Sequence, residues 1–122
     1  WPRLSGVGMS QPVVLFSTCS DETKAQSIAT LLVEQRLAAC VNIVSGIKST
    51  YRWEGVIRTD NELLLIIKSQ RDQVQSIKQV VQELSGYELP ELIAMEIIDG
   101  SQHYLDWLTV ESRQPNVETS TE

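Results

Sequence analysis

Apolar positions along this chain follow contrasting rhythms, and the rhythms predict its elements. Val13-Val14-Leu15-Phe16-Ser17 is an unbroken apolar run, the pattern of a strand covered on both faces. Ala25, Ile28, Ala29 and Leu32 then recur at helical spacing, which puts them on one face. Ser20 or Asp21 suits the cap, and acids fill the first turn; the helix is predicted from about Asp21 to Gln35 or Arg36. Cys40 to Val44 is β-rich, and Ser45-Gly46 is a bend or bulge candidate. From Ile47 the chain alternates, with Ile47, Ser49, Tyr51 and Trp53 on one face and Lys48, Thr50 and Arg52 on the other.

Glu54-Gly55 and Asp60-Asn61 carry turn chemistry. They predict a short extra strand at Val56-Ile57-Arg58 and a strong central strand from Glu62 to Lys68. A second helix begins at Asp72, with Val74, Ile77, Val81 and Leu84 at core spacing, and ends at Ser85-Gly86. Pro90 approaches a last strand, Leu92 to Ile98, and Ser101 caps a short helix carrying Tyr104, Trp107 and Leu108. The order β-α-β-β-α-β plus a C-terminal helix predicts an α+β, ferredoxin-like sandwich with an antiparallel sheet. Right-handed crossovers place both main helices on one face of it.

Composition narrows the function. A length of 122 residues fits one domain, assigned to residues 11–113, with 1–10 a disordered N-terminus or cloning remnant and 114–122 a flexible tail. Net charge is −6 without a Lys/Arg cluster, which argues against nucleic-acid binding. No apolar run reaches the ~20 residues of a membrane span. Cys19 and Cys40 form no C-x-x-C pair and no His-x-x-x-His follows, so a structural zinc site is not expected. Their spacing leaves a disulfide open, but the simpler reading is two reduced thiols in a cytoplasmic protein.

Candidate chemistry is sparse. His103, the one histidine, reads as a solvated first-turn residue. Neither Gly-x-Ser-x-Gly nor a Gly-rich phosphate loop is present. Glu54, Glu62 and Glu91 lie near element ends, as ion-pair partners or acid–base candidates. Tyr51, Trp53, Tyr87 and Trp107 are either buried packing, including at an interface, or a ligand stack. Lys68 is either a solvated strand end or a ligand-facing cation.

Leu37-Ala38-Ala39-Cys40-Val41-Asn42-Ile43-Val44, followed by Ser49-Thr50-Tyr51-Arg52-Trp53-Glu54-Gly55, resembles the signature of the CutA family. Leu65-Ile66-Ile67-Lys68, Tyr87-Glu88-Leu89-Pro90-Glu91 and Tyr104-Leu105-Asp106-Trp107-Leu108 are similar to it in the same order. The resemblance implies a homotrimer of ferredoxin-like subunits, kinship with the signal-transduction protein PII, and a response to copper and other divalent metals. Some bacterial members bind copper through a first-strand Cys and a His-His pair. The corresponding positions here are Ser17, Leu84 and Ser85, which are not soft or imidazole ligands.

The reading is therefore a trimeric binding or signalling module, not an enzyme, with inter-subunit clefts lined by Cys40, Tyr51, Trp53, Lys68, Tyr87 and Glu91. It needs no cofactor; copper or another divalent metal would bind weakly. One alternative is a direct copper-binding protein using Cys19 or Cys40 with His103. Another is an enzyme using Lys68 and a carboxylate on a small anionic substrate.

Overall fold

A computed structural model describes residues 10–114. Apart from Ser10 and Gln114, the segments expected to be disordered or remnant lie outside the described residues. Ser10 donates its hydroxyl to Gln70 at 2.8 Å, and the Gln114 amide donates to the Gln35 carbonyl at 2.8 Å.

The elements are β1 (Pro12–Cys19), α1 (Glu22–Glu34), β2 (Cys40–Trp53), β3 (Val56–Gln70), α2 (Val74–Leu84), β4 (Ile93–Glu96) and α3 (Gln102–Glu111). The sheet order is β2-β3-β1-β4, every neighbouring pair antiparallel. This is the expected ferredoxin-like arrangement. Asp21 caps α1 by accepting the Lys24 backbone N–H at 2.8 Å, and that bond holds its carboxyl below the ordinary carboxylate range.

Alternation along the central strands builds the core. Val13, Leu15 and Cys19 of β1 meet Leu63, Leu65 and Ile67 of β3, and all pack with Ala25, Ile28 and Leu32 of α1 and Ile77 and Val81 of α2. The other face of the sheet differs from the expectation of a strand covered on both sides. There Val14 and Phe16 are half-buried, as are Leu64 and Ile66, while Ile93 and Met95 of β4 are 53% and 49% exposed.

Three local expectations are corrected. Asp60-Asn61 is not a turn: Asp60 pairs with Ser49 and Asn61 with Lys48, so β3 absorbs the short strand predicted at residues 56–58. β2 is long enough to offer these residues a ladder, and ladder bonds outweigh their turn preference. The reversal is at Glu54-Gly55 alone, where both residues have positive φ, 51° and 80°. That is the two-residue turn whose twist suits a hairpin. The second helix is preceded by a 3-10 turn, Arg71–Gln73, and begins at Val74 rather than Asp72. The last strand is the short Ile93–Glu96, although Ile97 still donates its N–H to the Pro12 carbonyl at 3.0 Å. The bulge at Ser45-Gly46 is present as a register shift between Val44 and Ile47.

The C-terminal end of α3 is tied down by distant side chains. Gln70 and Gln73 donate to the Ser112 carbonyl at 2.9 and 3.0 Å. The Arg36 guanidinium donates to the carbonyls of Val110 and Arg113, each at 2.8 Å.

Two substitutions rank the forces in this fold. Leu65→Ala opens a cavity in the fully buried core and should cost roughly 3 kcal/mol. Gly86→Ala places a Cβ 2.9 Å from the Lys24 Cε, which can swing away, so its cost comes from φ +80° and should be about 1 kcal/mol. Equilibrium urea unfolding of both variants checks the ranking.

Candidate functional site

β1 stops at Cys19 while the β2–β3 hairpin runs on past it. The step so created is roofed by the loop from α2 to β4. Under it lies a cleft of about 500 Å³.

Its walls follow from register. Counting outward from the Glu54-Gly55 turn, Trp53 faces Val56 and Tyr51 faces Arg58. Ser49, Tyr51 and Trp53 therefore present one wall, with Arg58 beside them and Glu62 further in. Tyr87, Glu88, Leu89 and Glu91 of the loop form the facing wall, and Thr18 of β1 lies at the inner end. By alternation Glu62 shares its face with Leu64 and Ile66, so the cleft is continuous with the helix-free face of the sheet.

Hydrogen bonds fix the facing wall. Ser17 donates its hydroxyl to the Glu91 carbonyl at 2.7 Å, and the Tyr87 N–H donates to the Ser85 hydroxyl at 3.1 Å. The Tyr87 hydroxyl donates to a Glu62 carboxylate oxygen at 2.5 Å. Burial, then this bond to Glu62, pushes the Tyr87 phenol far above its ordinary value. Tyr51 donates to Asp60, and that bond raises its phenol as well.

Tyr51, Trp53, Tyr87 and Glu91 of the sequence-predicted set come together here. Cys40 and Lys68 do not line the cleft; they pair with each other at the opposite end of β3. Lys68 donates to Asn42, so within one chain it stands at the other end of β3 from the cleft. The same pairing sets Lys68 apart from the cleft carboxylates, as an acid–base partnership with them would not allow. Cys40 is close enough to Tyr104 for its charge, after burial, to raise that phenol.

The two thiols among the weak metal candidates lie apart. Cys19 faces Leu63 and Cys40 faces Lys68, an odd step along β3 that puts them on opposite sides of the sheet, roughly 16 Å apart along the strand. Both thiols are free, and the Cys19 thiol is raised by burial and then by the charge of Asp21. His103 sits exposed on α3. No group of three or more His, Cys, Asp or Glu gathers in a metal-holding arrangement among the described residues.

Sequence reasoning missed Arg58, Glu88 and Thr18. Arg58 had a usable signal: once Glu54-Gly55 is taken as a two-residue turn, the count outward pairs it with Tyr51. Thr18 and Glu88 had none, because only the β1–β3 register and the loop's path bring them in. A larger groove of about 660 Å³ lies between α1 and α2, but glutamines and acids line it without an aromatic ring.

A four-stranded antiparallel sheet with its two main helices on one face defines a ferredoxin-like α+β protein, here with an aromatic cleft at the sheet's end. The chain belongs to the CutA1 divalent ion tolerance protein family, whose model matches residues 13–111. It is 47% identical over 98 residues to the divalent-cation tolerance protein CutA of Thermus thermophilus, covering 80% of this chain and 94% of that protein. It is 40% identical to the chloroplastic protein CutA of Arabidopsis thaliana over 83% of this chain, but spans 56% of that protein. For mouse protein CutA the identity is 42% over 88% of this chain and 62% of that protein.

The solved Thermus thermophilus protein superposes with a TM-score of 0.82 at 43% identity, over 84% of this chain and 99% of that one. A CutA of Archaeoglobus fulgidus, described as periplasmic, gives 0.81 at 31% identity over 84% and 99%. Relatives described as chloroplastic and periplasmic show that location differs within the family. Among the described residues no helix is long and apolar enough to cross a membrane.

Alkaline pH should weaken the fold in a defined order. A raised folded-state pKa means that stability is fully present below the unfolded value and lost as pH rises through the folded one. The Cys19 thiol, reference value 9.0, acts first, and the Tyr87 phenol, reference value 10.0, next. Melting temperature should hold through neutrality and fall above about pH 9. Cys19→Ser should flatten the first part of the fall, and Tyr87→Phe the second.

Proposed function

We propose that the chain is a homotrimeric divalent-cation-tolerance module that binds a small ligand in clefts at its subunit boundaries and acts on metal homeostasis without catalysing a reaction. The observation that carries this reading is the helix-free face of the sheet. Val14, Phe16, Leu64, Ile66, Ile93 and Met95 share it by register, and an apolar surface of that kind marks an interface. β2 adds a long edge with unpaired backbone groups, which a second copy can satisfy. A heterologous contact repeated round a closed ring avoids an open filament, and three copies is the ring the family resemblance supports.

Continuity between this face and the cleft supports a ligand site at the boundary. Neither His nor Cys lines the cleft, so it offers no activated nucleophile of the usual kinds. The metal link is carried by the family's name. A copper site that uses Cys19 and Cys40 together is disfavoured by their separation, and no group of three or more ligating side chains forms around either of them with His103 among the described residues.

Static light scattering should give the mass of three chains. Met95→Asp, at the rim of the face, and Ile66→Asp, at its centre, should both reduce it; Trp53→Asp should do so too, at the hairpin's far end. A folded single chain from the unmodified protein would overturn the trimer.

Copper provides a second check. Cu(II) should bind weakly by calorimetry, and Cys40→Ser should change that little. One tight Cu(II) per chain, lost in Cys40→Ser, would restore the direct-binding reading. In a strain lacking its own family member, the unmodified chain should restore growth on copper, and Ile66→Asp should not.

A further inference from the structure

We infer that the ligand of the cleft is a small organic cation, an ammonium or guanidinium group carried on an apolar body. The inference rests on the cleft being a ligand site, as proposed above, and concerns what that site selects.

The charges do not balance. Glu62, Glu88 and Glu91 line the cleft with Arg58 as its one base, an excess of two negative charges. Arg58 does not neutralise its neighbours: the ion pairs among the described residues are Lys24–Asp21, Arg36–Glu111 and Arg71–Glu96, all elsewhere. A concave site of one sign concentrates ions of the other.

The cleft rings do not stack on one another. Tyr51, Trp53 and Tyr87 stand round the same space, yet the ring stacking present among the described residues is Tyr104 on Trp107, at 5.5 Å. Among the described residues no cation–π contact involves the cleft rings. Aromatic faces attract cations, Trp most strongly, and more so when water is excluded.

The inner end is polar and narrowly exposed. Thr18 is 7% exposed, and what it exposes is the cleft. Its hydroxyl makes no side-chain hydrogen bond among the described residues, so an N–H donor reaching the inner end finds an acceptor there.

Other ligand classes fit less well. A bare divalent ion wants several oxygens converging on one point, and the acids do not so converge. An anion meets the charge excess. A volume of about 500 Å³ lies in the range of small-molecule pockets, which leaves room for an apolar body between the rings.

The test uses the assembled protein at low salt with probes of one shape and different charge: benzylammonium, benzyl alcohol and benzoate. The shift of the Trp53 indole N–H in the NMR spectrum reports binding at the cleft, and that of Trp107 serves as control. Benzylammonium should bind about tenfold more tightly than benzyl alcohol, with benzoate weakest. Glu88→Gln with Glu91→Gln, both at exposed positions, should remove most of that preference. Arg58→Gln should tighten benzylammonium by removing a like charge.

Equal binding of the amine and the alcohol would overturn the cation while leaving the ligand site standing. Tightest binding of benzoate, lost in Arg58→Gln, would overturn it in favour of an anion. No Trp53 response to any probe at millimolar concentration would overturn the ligand site as well.

Discussion

The pairing of β1 with β3 is the constraint on which the rest depends. It runs without a break from Pro12 opposite Gln70 to Cys19 opposite Leu63. Because successive side chains on a strand point to opposite sides, this one register sorts the apolar residues of both strands into two sets. One set lies under α1 and α2 and makes the core. The other forms the apolar surface on the helix-free side. A slip by one residue would exchange the sets, turning Ser17 and Ser69 outward and Lys68 into the core. The register also decides where β1 ends relative to the hairpin, and therefore where the cleft begins.

The helices obey this sheet. α1 and α2 cross over the same face because each connects strands that lie parallel with another strand between them, and such crossovers are right-handed. α3 has no crossover to place it. It is held by side chains from well upstream: Arg36, Gln70 and Gln73 take up the carbonyls left open at its C-terminal end.

The sequence made most of the framework legible. Ala25, Ile28, Ala29 and Leu32 announced α1, and all are buried. Alternation from Ile47 to Trp53 announced the face that lines the cleft. What misled was local turn chemistry: Asp60-Asn61 looks like a reversal, and only the length of the partner strand overrides it. What stayed illegible was tertiary. The separation of Cys40 and Lys68 from the aromatic residues depends on which end of β3 each occupies. The approach of Tyr87 to Glu62 depends on a loop anchored through Ser17, whose hydroxyl gives no hint of this in the sequence. The candidate site was thus half visible, as its aromatic wall, while its charged lining emerged from the register.

The two-residue turn at Glu54-Gly55 acts as a ruler for the cleft wall. Both residues occupy the left-handed region, so the turn admits little variation in length, and every pairing below it is counted from that point. Substitutions along the hairpin would alter the chemistry of the wall yet keep its geometry. A single inserted or deleted residue would instead rotate Tyr51 and Trp53 to the opposite side and bring Arg52 in their place. In this hairpin, length decides which side chains reach the cleft, and their identities decide what the cleft offers.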